Sequence, residues 1–331
     1  MCVGQTQLNQ RSLDVLQSHQ DRFDELEVRL TTCLSGASLY DFGVEHLGTV
    51  GGGLLLAKIS LGDLADVVVC NSHLSHSPFP SVHVRTDHPV TACIAAQYAG
   101  WPVSHGKYFA MGSGPARMLR GREPMLELLG LTESSEVGVV ILESGKLPDP
   151  DVVESIAAEC GLAAKQLHIC VARTSSLAGM IQIVARSVET TLHKLFELGF
   201  DLRSIRSGVG WAPLPPVAPD DLTALGWTND AILYGTKSFL IVESSDQTLR
   251  GLRDRLTSDT SRDFGRPFLE IFNQYNRDFY QIDKLLFSPA AVTINNVTTG
   301  NTFAYGQLHE QILNKSFRCD EGSAIQVGEQ P

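Results

Sequence analysis

An arginine and a glutamate three positions apart are the residues of this sequence best suited to acid–base chemistry. Arg186 and Glu189 lie in the segment 181–199, IQIVARSVETTLHKLFELG, whose apolar residues recur at the helical period up to Gly199. At this spacing a helix presents both side chains on its polar face, together with His193 and Glu197. In a cleft, the carboxylate could take up and return a proton while the guanidinium orients it. On a solvated face the two residues would form an ordinary surface ion pair, and their spacing leaves both interpretations open.

A glycine turn is the second candidate for function. Within the stretch 86–117, a helix-like run and an extended piece are followed by Gly112-Ser113-Gly114-Pro115 and a helix start. Ser113 suits the N-cap position and Pro115 the first helical position. Backbone N–H groups at such a turn can bind an anion or a carbonyl group, although the same motif is common in loops without function.

Charged residues near this turn could also contact a ligand. Arg117, Arg120 and Arg122 form a short basic run, which is either a solvated helix end or a clamp for an acidic ligand tail. The apolar segment 136–144 predicts a buried strand. Glu143 lies at its carboxyl end, where open α/β sheets bind ligands.

Two other motifs predict no site. Gly51-Gly52-Gly53 lacks the GK[ST] ending of a phosphate-binding loop, and we interpret residues 54–60 as a strand. The glycines then indicate close backbone packing or a flexible turn. His73 and His76 have no convincing third ligand nearby, so we expect no metal.

Bulk composition indicates a globular protein. The 331 residues suggest two domains, and 43% hydrophobic with 19% charged residues exclude a disordered chain. A net charge of -11 argues against a nucleic-acid groove. Seven scattered cysteines without a CxxC pair indicate reduced thiols, and no apolar run is long enough for a membrane span. We therefore expect a soluble, cytoplasmic protein.

Hydrophobic periodicity predicts the elements that carry these residues. The alternation through 136–200 indicates an α/β unit, and the proline-rich stretch 208–219 indicates a boundary or hinge. Helices are predicted in 6–34, 91–98, 150–160, 181–199, 245–256 and 267–277, and strands at 54–60, 65–70, 82–85, 136–144, 167–173 and 231–242, with a hairpin over 290–308.

Several long motifs are distributed along the chain. They are Thr86-Asp87-His88-Pro89, Ala99-Gly100-Trp101, Lys107 to Arg117, Arg186-x-x-Glu189, Thr228-Asn229-Asp230, Pro267-Phe268 and Ser288-Pro289-Ala290. Together they resemble the methenyltetrahydromethanopterin cyclohydrolase family. The resemblance extends from about Phe42 to Leu308, and Trp211-Ala212 departs from the Arg-Cys pair of archaeal relatives, as a differently decorated pterin would allow.

The resemblance implies an enzyme that opens 5,10-methenyltetrahydromethanopterin, or its dephospho form, reversibly to the 5-formyl derivative. It implies an α+β fold of two α/β-type domains side by side with the active-site cleft between them, here 1–205 and 206–331, which may exchange segments. It also implies no cofactor beyond the pterin substrate, and a homotrimer. Glu189 and Arg186 would be the catalytic pair. The pocket would be lined by Lys107, Phe109, Gly112, Ser113, Gly114, Arg117, Glu143, Ser175 and Ser176. The alternative is a non-catalytic pterin or one-carbon carrier on the same scaffold.

Overall fold

The first of two six-stranded sheets carries the predicted strands 136–144 and 167–173. The computed structural model describes residues 7–278 and 281–318. In chain order the strands of this sheet are β1 (Arg29–Thr32), β2 (Ser38–Asp41), β5 (Trp101–His105), β6 (Tyr108–Ser113), β7 (Gly138–Glu143) and β8 (Leu167–Ala172). Their spatial order is β1-β2-β8-β7-β6-β5, and β2, β8 and β7 run parallel. The buried apolar runs of β7 and β8 fit strands that are covered on both faces.

The second sheet is largely antiparallel. Its strands are β3 (Asp66–Cys70), β4 (Ser81–Thr86), β9 (Ile205–Pro213), β10 (Lys237–Val242), β11 (Ala291–Asn296) and β12 (Thr302–Gly306). Their order is β12-β11-β10-β9-β4-β3, in which only β10 and β11 pair in parallel. The predicted hairpin over 290–308 is confirmed as β11 and β12. The two mixed sheets with their helices confirm the α+β fold class.

Helices pack on both sheets. They are α1 (Leu8–Ser18), α2 (Val50–Ser60), α3 (Ala116–Arg120), α4 (Pro124–Leu129), α5 (Pro150–Cys160), α6 (Leu177–Val184), α7 (Ser187–Glu197), α8 (Asp221–Gly235), α9 (Asp246–Arg250), α10 (Phe268–Gln274) and α11 (Glu310–Ser316), with a π-helix at Val90–Gln97. Short 3₁₀ turns lie at Gln20–Arg22, Ala164–Gln166, Leu202–Ser204 and Ser258–Thr260. The predicted apolar seam is confirmed, because Val184, Val188, Leu192 and Leu195 are buried.

The strand predicted at 54–60 is wrong, because these residues belong to α2. Thr49 caps this helix by accepting from the Gly52 N–H, and the helix then runs through the three glycines. A Cβ at Gly53 would lie 2.8 Å from the Cβ of Ile181 in α6. Gly53 therefore brings α2 and α6 into close contact, while Gly51 and Gly52 pack against Leu26, which is the packing role that we preferred to phosphate binding.

Several other predicted elements are corrected in part. The helix predicted over 6–34 ends at Ser18, and residues 29–32 form β1. The helix predicted over 245–256 is confined to α9, which ends at Arg250. The segment 181–199 forms two helices that break at Ala185 and Arg186. Residues 208–213 belong to β9, because glycines at 208 and 210 let α7 pack closely on that strand. Residues 231–235 continue α8, and only the following residues form β10.

The order of strands bears on the predicted domain division at residue 205. Strands β3 and β4 precede residue 205 but belong to the second sheet. In the sequence they lie between β2 and β5, which belong to the first sheet. The boundary remains a prediction, and any division at this point would require an exchange of segments.

The structure also bears on the predictions about thiols and membrane spans. The described cysteines are free thiols, at Cys33, Cys70, Cys93, Cys160 and Cys170, whereas Cys2 and Cys319 lie outside the described residues. Among the described helices, none has the length and apolar character that a bilayer span requires.

Candidate active site

Polar side chains collect where the parallel strands of the first sheet end. The registers of β7 and β8 place Glu143 opposite Ala172, so both strands end at the same level. The Thr174 hydroxyl, just beyond β8, donates to Glu143 Oε1 at 2.6 Å. Burial raises the pKa of Glu143; the Thr174 hydrogen bond and the Arg186 charge lower it, and the Asp221 charge raises it. Groups from four separate chain segments therefore meet at this edge.

Arg186 lies at the break between α6 and α7. Its backbone leaves the helical conformation there, at φ -88° and ψ 11°, and it is the N-cap residue of α7. The guanidinium is buried and donates to Ser113 Oγ and Gln182 Oε1, both at 3.2 Å, and to the Gln97 carbonyl. These acceptors come from β6, α6 and the π-helix, and a π-helical turn often occurs at a functional site. The break between α6 and α7 thus directs the Arg186 guanidinium towards polar groups of β6, α6 and the π-helix.

Glu189 lies in the first turn of α7, where the helix dipole favours a carboxylate. Its side chain is 7% exposed, and its Oε2 lies 3.6 Å from Arg186 Nη1. This is the predicted i, i+3 pair, but it is buried rather than solvated. Burying two charges is expensive even when they are paired, and perturbed buried charges cluster at functional sites. The interpretation as a solvated surface pair therefore no longer applies.

A strip along β6 connects this pair with the surface. Side chains alternate along a strand, so Phe109, Met111 and Ser113 lie on one face. Met111 is opposite Glu143 in β7, which puts Glu143 on the same face. The ring of Phe109 is 60% exposed, whereas the Ser113 hydroxyl is buried against Arg186. The strip therefore leads from an exposed aromatic ring to the buried cation.

The chain matches the family model described as "Cyclohydrolase (MCH)" over residues 7–317. It is 46% identical to the methenyltetrahydromethanopterin cyclohydrolase of Rhodopirellula baltica over 293 residues, 87% of this chain and 88% of the relative. It is 42% identical to that of Methylobacillus flagellatus (94% and 95% covered) and 38% identical to that of Methanococcoides burtonii (94% and 98% covered). The chain belongs to the MCH cyclohydrolase family.

Not every residue that the resemblance to MCH cyclohydrolases suggested faces this site. Arg117 is 0% exposed, forms an ion pair with Glu123, and donates to carbonyls at the end of the π-helix, those of Ile94 and Ala95. With its donors turned inward, Arg117 does not present its charge to a ligand's acidic tail. Its position instead indicates that it supports the π-helix.

The two serines after β8 differ in what they contact. Ser176 caps α6, since its hydroxyl accepts from the Gly179 N–H and donates to the Arg173 carbonyl. Ser175 donates through both its N–H and its hydroxyl to Asp221 Oδ1, at 3.0 and 2.6 Å. Ser176 therefore supports the loop from inside, whereas Ser175 joins the loop to α8.

In this MCH cyclohydrolase the glycine turn at 112–114 is tightly packed, whereas the tip of the adjacent hairpin is exposed. Ser113 does not cap α3 as predicted, because the N-cap residue is Pro115 and the Ser113 hydroxyl accepts from Arg186. Gly114 has φ +94°, and a Cβ there would lie 2.5 Å from Ile141 Cδ1, so a side chain is excluded. A Cβ at Gly112 would lie 2.9 Å from the Trp101 carbonyl oxygen. Lys107 is exposed at the tip of the hairpin that joins β5 to β6.

Sequence reasoning missed several residues that complete the site. Asp221, in the first turn of α8, accepts two hydrogen bonds from Arg173, at 3.2 and 3.0 Å, besides those from Ser175. Burial alone would raise the pKa of Asp221, but the hydrogen bonds from Arg173 and Ser175 outweigh it and lower the value. Gln182 could have been found from the sequence, because it lies one helical turn before Arg186. Asp221 had no such local signal.

The two loop histidines have ordinary environments where they can be described. His73 hydrogen-bonds through its ring nitrogens to Ser81 Oγ and the Gly235 carbonyl, and His76 is exposed. Across residues 7–278 and 281–318, no group of three or more His, Cys, Asp or Glu side chains is arranged to hold a metal ion. That the reaction needs no metal remains a prediction.

Proposed function

We propose that this protein hydrolyses 5,10-methenyltetrahydromethanopterin, or its dephospho form, reversibly to the 5-formyl derivative. The buried Arg186–Glu189 pair, at the polar edge of the first sheet in an MCH cyclohydrolase, is the observation that carries this proposal. The names of the curated relatives favour catalysis over the non-catalytic carrier. The substrate is an activated cation, so the ring opening is possible without a cofactor or a metal.

Glu189 acts as both base and acid in the proposed mechanism. Its carboxylate takes a proton from water as the water oxygen bonds to the carbon between N5 and N10 of the pterin. Glu189 then delivers this proton to N10 as the bond from the carbon to N10 breaks, and the regenerated carboxylate takes the hydroxyl proton as the carbonyl forms. Arg186 fixes the direction of the carboxylate, and Ser113 and Gln182 fix Arg186.

The pterin lies along the strip on β6 in this proposal. Phe109 offers a ring for stacking, and Lys107 offers a positive charge at the open end. The turn at 112–114 brings the backbone close to the ligand, and Glu143 with Ser175 completes the wall beneath α8. Arg117 and Ser176 support this wall from behind.

The decisive experiment is to follow methenyl absorbance with wild-type protein and Glu189→Gln. We expect wild type to consume the substrate and Glu189→Gln to lose turnover by ~100-fold or more while still binding, because the amide cannot exchange the proton. Glu154→Gln, an exposed residue of α5, is the matched control and should retain full turnover. Binding without turnover by the wild type would support the carrier instead.

The proposed assembly rests on the resemblance, and the proposed location rests on the composition of the sequence. We propose a homo-oligomer, a trimer as in relatives, in the cytoplasm. Light scattering of the purified protein tests the first proposal, and a monomer at working concentration would contradict it.

A further inference from the structure

The proposed reaction, on which this inference rests, releases one proton in each turnover. The methenyl substrate is a cation, whereas water is neutral and the 5-formyl product is neutral. One proton of the water reaches N10, and the other must leave the protein. The first proton passes through Glu189 to N10, and the regenerated Glu189 carboxylate then accepts the hydroxyl proton of the adduct. Glu189 is buried, so this second proton needs a path to solvent.

One face of α7 joins Glu189 to the surface. His193 and Glu197 follow Glu189 at successive intervals of four residues, so their side chains lie one turn apart along this face. The exposed fractions of the side chains rise from 7% at Glu189 to 30% at His193 and 55% at Glu197. His193 Nε2 lies 3.9 Å from Glu197 Oε1. The face therefore carries three proton-binding groups in order of increasing contact with water.

The ring of His193 is held in place by Tyr98, at the end of the π-helix. The two rings stack with centroids 4.9 Å apart and planes inclined by 20°, and the Tyr98 hydroxyl lies 3.3 Å from His193 Nε2. Arg117 in turn lies over the Tyr98 ring, with its guanidinium carbon 5.1 Å from the centroid, and is paired with Glu123. Arg117, at the end of the stretch 86–117, therefore orients the Tyr98 ring, and Tyr98 in turn orients the His193 ring.

We propose that His193 takes the proton from Glu189 and releases it to solvent beside Glu197. After Glu189 has given the first proton to N10, the remaining O–H bond of the adduct breaks as the carbonyl forms, and its proton passes to the regenerated Glu189 carboxylate. That new O–H bond then breaks as an N–H bond forms on the imidazole, through one water molecule within the helical turn, and the imidazolium gives its proton to bulk water. Imidazole is the side chain best suited to such exchange near neutral pH.

The charged groups around His193 are compatible with this role. Glu189 and Glu197 share its helix face, whereas Arg117 lies behind Tyr98 and is paired with Glu123. Burial first, and then the Glu189 and Glu123 charges, raise the pKa of Tyr98 to about 12. The phenol therefore stays neutral, and its hydroxyl can donate to imidazole or accept from imidazolium without releasing the ring.

The test measures kcat at increasing concentrations of a small buffer such as imidazole. At low buffer we expect His193→Ala to lower kcat by about 10-fold with little change in KM, because proton release becomes limiting and substrate contacts remain. Added imidazole should restore kcat in this variant and leave wild type unaffected. Tyr98→Phe keeps the stacked ring but loses the hydroxyl, so it should show a smaller, likewise restorable loss. His76→Ala, an exposed histidine in a distant loop, is the matched control.

The outcomes separate the two proposals. Wild type that fails to consume the methenyl substrate in any buffer would overturn the proposed function, and the relay with it. An active wild type whose His193→Ala variant keeps full kcat, or loses kcat that no buffer restores, would overturn the relay alone. In the second case the loss would be structural, and circular dichroism and thermal unfolding of the variant would show it.

Discussion

Arg186 shows how much of a site depends on the contacts of one side chain. Its planar guanidinium reaches a carbonyl, a hydroxyl, an amide oxygen and the Glu189 carboxylate at once. Lysine keeps the charge but cannot present donors in these directions. The position therefore needs arginine for its geometry as well as for its charge.

For this reason, Arg186→Lys should lower kcat by about 10- to 100-fold and change KM less, because the carboxylate loses its orientation while the pterin contacts remain. Steady-state kinetics on the methenyl substrate measures both constants. Arg206→Lys is the control, since Arg206 forms an exposed pair with Glu243 and should behave as wild type. Equal effects of the two substitutions would contradict a special role for Arg186.

At the residue scale, the sequence predicts that Arg186 and Glu189, the proposed catalytic pair, lie close together, but it does not predict their surroundings. The spacing of Arg186 and Glu189 put them on one helix face, yet the same spacing occurs in many solvated pairs, and only the fold decides burial. Gln182 lies within one helical turn and was within reach of sequence reasoning. Asp221 and Arg173 meet through folding of distant segments, so no local pattern indicates their contact.

At the scale of elements, the β5–β6 hairpin is the part that we expect to bind without taking part in the chemistry. Lys107→Ala and Phe109→Ala should each raise KM several-fold and leave kcat nearly unchanged, because neither side chain touches the catalytic pair. The control is Leu128→Ala, which removes a similarly exposed apolar side chain from α4. A loss of kcat with unchanged KM in Lys107→Ala would contradict this division.

The contact between α2 and α6 is a second feature at this scale. Gly53→Val should lower the melting temperature by several degrees, because the new Cβ lies only 2.8 Å from the Cβ of Ile181 and two buried helices must separate. Thermal unfolding measures the effect. Gly251→Ala, at a position with helical φ of -68°, should be tolerated and is the control. Equal melting temperatures would show that the helices can adjust.

Regular elements were predicted best where a single pattern dominates. Examples are β7 and β8, whose apolar runs are typical of buried strands, and α5, whose capping residues mark both ends of a helix. Two of the errors involve glycines. Those at 51–53 were compatible with a flexible turn and those at 208 and 210 with a loop, but they are packing residues in a helix and a strand. A glycine that lets two elements approach has the same sequence signature as a glycine that bends the chain.

On the scale of the whole molecule, a buried aspartate joins three helices that are far apart in sequence. Asp230 of α8 accepts from the Phe268 N–H at the start of α10 and from the Ser316 hydroxyl of α11. Burial raises the pKa of Asp230 to about 7, although these hydrogen bonds lower it. The folded protein therefore retains a proton that the unfolded chain has lost.

The sign of the resulting pH dependence follows directly. Below the ordinary aspartate pKa of about 4 both states are protonated and the full contribution to stability is present, and it is lost as pH rises towards 7. Urea unfolding should therefore show a stability that falls from about pH 4 to about pH 7, and Asp230→Asn should flatten this slope. Asp24→Asn, an exposed control, should keep it. An unchanged slope in Asp230→Asn would exclude Asp230 as the cause.

The π-helix Val90–Gln97 makes the site sensitive to the length of the chain as well as to its composition. A π-helical turn holds an extra residue compared with the α-helical hydrogen-bonding pattern. Removing one residue from this run would let it become α-helical and would turn its end by about 100°. The Gln97 carbonyl and the Tyr98 ring would then point away from Arg186 and His193, although every polar residue of the site would still be present. A single-codon deletion could thus inactivate the enzyme without changing any side chain that contacts the substrate.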